Sequence, residues 1–284
     1  MSLLRLVRRE LSAQRWPLVT LGGLLTVLTL VVCALPLDAA RTDDQAVRHA
    51  VAAAGPDVTA VVARPPLARP FATADELANL LGTARSRLGT ALQAVTGPGD
   101  AAVATTDLGV ADVDLRPRHP SRILDLRLQT GWQERVDFVT GRAPAAAAEP
   151  LPTSGGPVPL VEVALAEAAA GPLGLAAGDT VVLTGRTAQP IGIRVAGTFA
   201  PTDEDDEFWA GLTRVLRPTH EPTDVDDRYL GTALLAPEGY PTVVSTVQVD
   251  LATRLRYPLL PGSIGWADVD PVTTDLAAAS ASGL

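Results

Sequence analysis

The side chains that could carry chemistry are few and widely spaced. The histidines are His49, His119 and His220, and no HxxxH or HExxH pattern connects them, so the sequence offers no local zinc-binding motif. There is no GxSxG or GxGxxG motif, and all 23 basic residues are arginine, which excludes a P-loop lysine and a Schiff-base lysine. We therefore predict no catalytic, cofactor-binding or metal-binding residues, and we expect that the protein is not an enzyme and has no cofactor.

The densest charge is an acidic run at residues 203–207. Further acids follow it at Glu221, Asp224, Asp226 and Asp227. Clustered carboxylates suit a hard cation, but the spacing is not that of an EF-hand loop. We interpret 203–207 as a solvated loop, and whether it binds a cation stays open at this point. Paired carboxylates for glycoside hydrolysis, Asp206 among them, would have few aromatic rings on which a sugar could stack, because aromatic residues are 4% of the chain.

An apolar segment at residues 17–37 decides the solvent for everything that follows it. It has no ionisable side chain other than the thiol of Cys33, and a helix of this length spans about 31 Å, which matches a hydrocarbon core of roughly 30 Å. We predict that residues 17–37 form a transmembrane helix. A cleavable signal peptide is the alternative, although its apolar core is ordinarily shorter.

The charges around this span predict its orientation. Residues 1–16 hold four arginines and one glutamate, whereas the chain just after the span is acidic, so the N-terminus is expected in the cytoplasm and the bulk outside the cell membrane. The first 16 residues also have the pattern of an amphipathic helix on the inner membrane surface, and a plain basic flank is the alternative. The whole chain carries a net charge of −9, so the remainder beyond residue 37 carries −12. This acidity disfavours nucleic acid as a partner.

Patterning beyond the span alternates between helices and short strands. Helices are predicted at 43–54 and from Ala74 to about Val95, the second opened by a capping box of Thr73 and Glu76. Its leucines are predicted to lie in the core. Segments 57–64 and 101–108 are typical of strands.

Further strands are predicted toward the C-terminal half. Segment 122–130 alternates apolar and polar residues, which predicts one buried and one wet face, and 242–251 is strand-like. Residues 143–159 are rich in Ala, Pro and Gly and are predicted to be a flexible connection. Residues 160–201 predict a strand, a short helix, a turn at Gly178 and a β-hairpin.

These elements predict an α+β fold, because strands and helices do not alternate regularly. We expect a cytoplasmic flank at 1–16 and the transmembrane helix at 17–37. The extracytoplasmic part is expected to form two lobes, at 38–150 and 151–284, the second with the hairpin at its core.

Five short segments occur in a recognisable order. They are FVTGRAP at 138–144, VEVALAEA at 161–168, LGLAAGDTVVL at 173–183, IRVAGTF at 193–199 and DDEFW at 205–209. Together with the preceding span, this order resembles the extracytoplasmic, MacB-like periplasmic core domain of MacB/FtsX-type ABC transporter permeases, and actinobacterial members look especially similar. Gly178 and Gly197 within it are expected to serve the fold, by turning the chain and by permitting close approach to a strand, without marking a site.

The resemblance implies a permease that pairs with a separate ATP-binding subunit. In such proteins the first span relays ATP-driven motion to the outer domain, a mechanotransmission that acts on a lipid, peptide or partner protein. Membrane lipid and a second permease subunit are further implied partners. This chain departs from the family pattern because no second uncharged run of 18 residues follows residue 37. The alternative is a single-pass, membrane-anchored binding or scaffold protein of the cell envelope.

Overall fold

The described residues form a mixed fold around one large sheet. The computed structural model describes residues 41–55, 58–65, 73–116, 121–146, 149–185, 189–223, 226–246 and 251–282. Its helices and strands confirm the α+β class. No helix within these ranges is long and apolar enough to cross a membrane. The predicted flank at 1–16 and the predicted span at 17–37 lie outside the described residues.

The elements are numbered in chain order. The helices are α1 (41–54), α2 (Ala74–Arg87), α3 (Thr90–Val95), α4 (Glu167–Leu173), α5 (Thr213–Leu216), α6 (Tyr240–Thr246) and α7 (Val269–Ala281). The strands are β1 (Ala60–Ala63), β2 (Asp100–Ala104), β3 (Leu108–Ala111), β4 (Ser121–Gln129), β5 (Val136–Gly141), β6 (Leu151–Thr153), β7 (Gly156–Val158), β8 (Leu160–Ala166), β9 (Thr180–Thr184), β10 (Ile191–Pro201), β11 (Thr219–Pro222), β12 (Asp227–Leu235) and β13 (Ala252–Pro258).

Six of the strands pair in a ring that we call the closed sheet. Their order is β4, β3, β9, β10, β8 and β12, and β12 pairs back with β4. The β8–β10 and β4–β12 pairings are parallel, and the other four are antiparallel. Strand β5 continues along β10 beyond the end of β9. The core of this sheet contains the aromatic rings of Trp132 and Phe199, whose centroids lie 5.6 Å apart.

Strand β4 also belongs to a second sheet, the open sheet, with the order β1, β13, β2 and β4. All three of its pairings are antiparallel. Strands β2 and β3 share one edge of β4 at different heights, β2 beside residues 127–129 and β3 beside residues 123–124. The two sheets are therefore joined through a single common strand.

Helices cover one face of the open sheet and make a second hydrophobic core. Asp275 on α7 accepts hydrogen bonds from the backbone N–H groups of Ala91 and Leu92 at 2.9 and 3.1 Å, which caps the start of α3. Helix α1 is tied to the chain just before α7, because Asp44 accepts from the N–H of Trp266 at 2.7 Å. Both cores take residues from each side of position 150, and the predicted lobes at 38–150 and 151–284 stay a prediction.

The predicted capping box is half confirmed, and the helix that it opens is shorter than expected. The Thr73 hydroxyl accepts from the N–H of Glu76 at 3.3 Å. The chain then leaves the helical conformation at Leu88 and Gly89, so the predicted single helix to Val95 is two helices. A side chain at Gly89 would collide with the carboxylate of Asp275, which makes the break a tight contact between helices.

Three further expectations are corrected. The strand-like segment at 242–251 is helical through Thr246, and residues 247–250 lie outside the described residues. The connection predicted at 143–159 contains the hairpin of β6 and β7. The face of β4 that was predicted to be wet is largely buried, because Asp125 and Gln129 on it are both buried.

Candidate functional site

The two histidines within the described residues lie on different elements. His49 is exposed on α1, His119 lies outside the described residues, and His220 on β11 stacks on the ring of Tyr229 with centroids 4.8 Å apart. The Nε2 atom of His220 lies 3.3 Å from a carboxylate oxygen of Asp227. Within the described residues, no three His, Cys, Asp or Glu side chains are grouped so that they could hold a metal ion.

Three acids of the run at 203–207 form ion pairs with arginines. Asp203, Glu204 and Asp205 are exposed. Glu204 forms an ion pair with Arg217, with an N–O distance of 2.5 Å. Asp206 accepts from the N–H of Phe208 at 2.9 Å, which caps the short turn at Glu207–Trp209. The solvated-loop interpretation is therefore right for Asp203, Glu204 and Asp205, which are exposed, whereas Asp206 and Glu207 are half-buried.

This run opens a longer segment at residues 203–217, which we call the bridging segment. Its Phe208 and Trp209 enter the core of the closed sheet, where Trp209 stacks on Phe199 with ring centroids 6.3 Å apart. Its backbone is held from the other side by β13 of the open sheet. The bridging segment therefore contacts both sheets.

Arg256 on β13 is the central contact. Its side chain is 3% exposed, and it donates to the carbonyl oxygens of Glu207 at 2.7 Å and Phe208 at 3.3 Å. It also lies 3.6 Å from carboxylate oxygens of both Asp100 and Glu207. Two residues earlier on the same face, Arg254 donates to the carbonyl of Gly211 at 3.4 Å. The open sheet thus binds the backbone of the bridging segment through two arginines.

From Arg256 and Asp100, polar and charged contacts continue across the open sheet to β4. Asp100 accepts from the amide of Gln129 at 2.9 Å, and Gln129 in turn accepts from Arg127 at 2.9 and 3.0 Å. Burial raises the pKa of Asp100, opposed by the hydrogen bond from Gln129 and by the charge of Arg256. Burial lowers the pKa of Arg127 to about 10.

A second carboxylate completes the layer at the boundary with the closed sheet. Asp125 accepts from the hydroxyl of Thr232 at 2.6 Å, and Arg214 of the bridging segment lies 3.7 Å from it and 2.9 Å from Asp107. Burial raises the pKa of Asp125, and the Thr232 hydrogen bond and Arg214 work against that shift. We call the layer from Asp107 to Arg256 the charged junction. It links β2, β4, β12, β13 and the bridging segment.

The charged junction restricts the relative placement of the elements that it links. Charges removed from water are costly unless each has a well-placed partner, and the loss of one partner destabilises strongly. Such a layer favours one relative placement of the two sheets over others, because hydrogen bonds and ion pairs are sensitive to distance and angle. The arrangement therefore couples the position of one sheet to that of the other.

The prediction of no catalytic or metal residues did not point to this junction. Arg254 and Arg256 alternate along a strand, which indicates that they share one face, but the same pattern is typical of solvent-exposed strands. Only the burial of Asp125 and Gln129 distinguishes this face from an exposed one. The sequence does not show that burial, because it depends on the bridging segment, which lies far along the chain.

The five segments of the family pattern pack as one unit around β10. Glu162 on β8 is 4% exposed and forms a two-pronged ion pair with Arg142, each N–O distance being 2.7 Å. Gly178 has a φ of +96° and donates to the carbonyl of Val195 at 2.7 Å. A side chain at Gly197 would meet the carbonyl oxygens of Thr140 and Arg142 at 2.6 Å. The expected fold roles of both glycines are confirmed.

Comparison with known proteins gives no further assignment. No protein-family model matches the chain, and no curated protein sequence matches it significantly.

Proposed function

We propose that this chain is a membrane permease component of an ABC transporter of the MacB/FtsX type. Its outer domain would relay ATP-driven motion from the membrane to a substrate or partner in the cell envelope. The observation that carries the proposal is the packing of the five pattern segments into one unit, where Arg142 of the first segment pairs with Glu162 of the second.

The path of the relay follows the contacts between elements. Helix α1 comes soon after the predicted span at 17–37, and Arg48 on it donates to the carbonyl of Ile264 at 3.2 Å, just before α7. Helix α7 caps α3 through Asp275, and both helices pack on the open sheet. A displacement of the span would thus reach the open sheet first, and the charged junction would pass it to the closed sheet.

The partners follow from this assignment. We expect a separate ATP-binding subunit, a second permease subunit and membrane lipid, with the N-terminus in the cytoplasm. Nucleic acid is not expected, because the chain beyond residue 37 carries a charge of −12. The protein itself is not expected to be an enzyme or to need a cofactor.

The test is purification of the full chain, carrying a C-terminal tag, from native membranes in a mild detergent. We expect an ATP-binding protein to co-purify, with ATP hydrolysis that vanadate inhibits. The matched control is the same purification from membranes that contain the untagged chain, which should recover no ATPase. Recovery of an envelope protein without any ATPase would instead favour the tethered binding or scaffold protein.

A topology experiment checks the premise of the proposal. Protease added to intact cells whose outer layers have been made permeable should cleave the chain beyond residue 40 and leave the N-terminal flank protected. Complete protection of the region beyond residue 40 would contradict the proposed orientation, whatever the co-purification gives.

A further inference from the structure

A cleft lies between helix α2, the open sheet and the bridging segment. Its volume is about 400 Å³, at the lower end of the range for binding clefts, so it suits a small ligand or a single long side chain. Part of its lining is apolar and comes from Ala78 and Leu81 of α2 together with Pro98 and Pro258. Ala78 is exposed, so the cleft reaches the protein surface at α2.

The charged side chains that line the cleft include one more acid than arginine. Among the described residues they are Asp100, Asp206, Glu207, Arg135 and Arg256. Arg127 and Arg254 act on the charge of Asp100 but do not line the cleft. The lining charges therefore favour a ligand that carries a positive charge.

The two lining arginines already have partners. The guanidinium of Arg256, which is 3% exposed, donates to the carbonyl oxygens of Glu207 and Phe208 at 2.7 and 3.3 Å. Arg135 lies 3.5 Å from a carboxylate oxygen of Asp206, and its guanidinium lies 4.6 Å from the centroid of the Phe208 ring. An anionic ligand would have to compete with these contacts, which argues against an anion in the cleft.

The carboxylate of Glu207, in contrast, has an acceptor that is not used. Its Oε1 atom is buried and has no hydrogen-bond partner among the described residues, and it lies 3.6 Å from Arg256, which is too far for a hydrogen bond. A buried acceptor without a donor is costly. The Glu207 side chain is 40% exposed and the terminal torsion of a glutamate is soft, so the carboxylate can turn toward a donor in the cleft.

We propose that this cleft binds a primary ammonium group carried on an alkyl stem. The ammonium would donate to the carboxylate of Glu207, and the stem would lie against Ala78 and Leu81. Both free alkylamines and lysine side chains carry such a group. The chain itself contains no lysine, so neither another part of it nor a second copy can supply a lysine side chain.

An ammonium suits the open acceptor better than a guanidinium does. A guanidinium presents five donors in a planar fork, whereas an ammonium is a compact charge with three donors. The carboxylates of Asp100 and Asp206 already lie near Arg256 and Arg135. A third guanidinium would therefore bring more donors than the lining has acceptors to receive. All residues of the site lie between positions 78 and 258, so it does not depend on the predicted span.

The experiment is isothermal titration calorimetry on the full chain, purified in a mild detergent. The probe is pentylammonium, and the comparison ligands are pentan-1-ol and pentanoate, which have the same stem without the positive charge. We expect pentylammonium to bind with saturation and at least about tenfold more tightly than either comparison ligand. Two blocked tripeptides, with lysine or arginine between glycines, test the source of the group.

Two pairs of variants locate the binding. Ala78→Phe fills the cleft from its exposed side and should weaken pentylammonium binding by at least about tenfold, whereas Asn79→Phe changes the next exposed residue of α2, which does not line the cleft, and should leave binding unchanged. Glu207→Gln removes the charge and should weaken binding similarly. Glu204→Gln makes the same change in the same acidic run outside the cleft and should have no effect.

The outcomes separate the alternatives. Pentylammonium that binds no more tightly than pentan-1-ol, or unchanged binding in Ala78→Phe, would overturn the proposal, and Ala78→Phe decides it even if Glu207→Gln fails to fold. Tighter binding of the arginine tripeptide than of the lysine tripeptide would overturn it as well. A lysine tripeptide that binds as tightly as pentylammonium supports a partner protein as the source, and weaker binding of that peptide supports a free amine.

Discussion

The closed sheet and the open sheet share β4 but differ in how their edge strands are paired. In the closed sheet, six strands pair in a ring, and the one buried acid of its β8 strand, Glu162, has a two-pronged arginine partner. The open sheet ends at β1, depends on helices α3 and α7 for its core, and carries the charged junction. Closure removes the unpaired edge groups that an open sheet must cover or use.

This contrast indicates where motion would be easiest to accommodate. A ring of strands resists change, because displacement of one strand strains the pairings on both of its sides. If the chain relays motion as proposed, the open sheet would be the part that shifts, and the charged junction would determine how much of that shift reaches the closed sheet. A protein that relays motion benefits from one rigid unit and one adaptable unit.

The largest expected effect comes from crowding the closed sheet. Gly197→Val would place a side chain within 2.6–2.8 Å of three backbone atoms of the facing chain, so we expect a loss of about 4 kcal/mol or more in the free energy of unfolding. Urea unfolding followed by tryptophan fluorescence measures it, since Trp132 and Trp209 report on this sheet. The control is Gly82→Ala, with nothing within 4 Å, which should change stability by less than about 1 kcal/mol. Similar values for both variants would contradict the crowding argument.

The next effect concerns the charged junction. Arg256→Met leaves Asp100 without its buried cation and leaves two carbonyl groups of the bridging segment without their donor, so we expect a loss of about 3 kcal/mol. Arg116→Met is the matched control, because its pair with Asp114 is mostly exposed and should contribute about 0–1 kcal/mol. Both are measured by urea unfolding. Equal small losses would show that the junction contributes no more than a surface pair.

The pH dependence should have opposite signs at Asp125 in the charged junction and at Glu162 in the closed sheet. Burial raises the pKa of Asp125, so its contribution to stability is fully present below the ordinary aspartate pKa of about 3.9 and is lost as the pH rises through the raised value. The hydrogen bonds from Arg142 lower the pKa of Glu162, so its contribution is present above the ordinary glutamate pKa of about 4.3 and is lost as the pH falls.

Two variants, each with an amide in place of a carboxylate, measure the direction of this pH dependence at each residue. The stability of the unaltered chain minus that of Asp125→Asn should fall as the pH rises from about 4, whereas the same difference for Glu162→Gln should rise. Urea unfolding over a series of pH values gives both curves. Curves of the same sign would mean that burial does not dominate at Asp125.

The smallest effect is expected at the outer end of the bridging segment. Glu204→Gln removes a pair with Arg217 in which the side chains are 55% and 70% exposed, and we expect a loss below about 0.5 kcal/mol. High salt should abolish this loss, since screening is strong at an exposed pair. A larger loss that persists in high salt would extend the charged junction to the whole bridging segment.

Caps, turns and apolar spacing in the sequence predicted the structure correctly where it depends on residues close together in the chain. Thr73 caps α2 as expected, the hairpin of β9 and β10 follows the turn at Gly178, and the leucines of α2 and α3 reach the core. The segment at 242–246 was misassigned, because a short apolar run with β-branched residues fits a strand or a helix equally well. Its actual conformation follows the short turn at Pro237–Gly239 that leads directly into α6.

The candidate site was beyond such local reasoning. Alternation in β4 identified Asp125 and Gln129 as members of one polar face, but not that the face would be covered. Its partners are distant in the chain: Thr232 is 107 residues from Asp125, and Arg256 is 49 residues from the Glu207 carbonyl that it binds. No window of neighbouring residues contains these pairs.

The residue types and their order account for the chemical inventory and for the local conformations. It contains arginine without lysine, three separated histidines and an acidic balance, and glycines stand where the backbone must turn or be approached closely. That strand β4 belongs to two sheets, and that the bridging segment covers the charged face of β4, follows from the packing of the whole fold. The physical reason is that burial and charge pairing depend on distances in space, which the packing of remote segments sets.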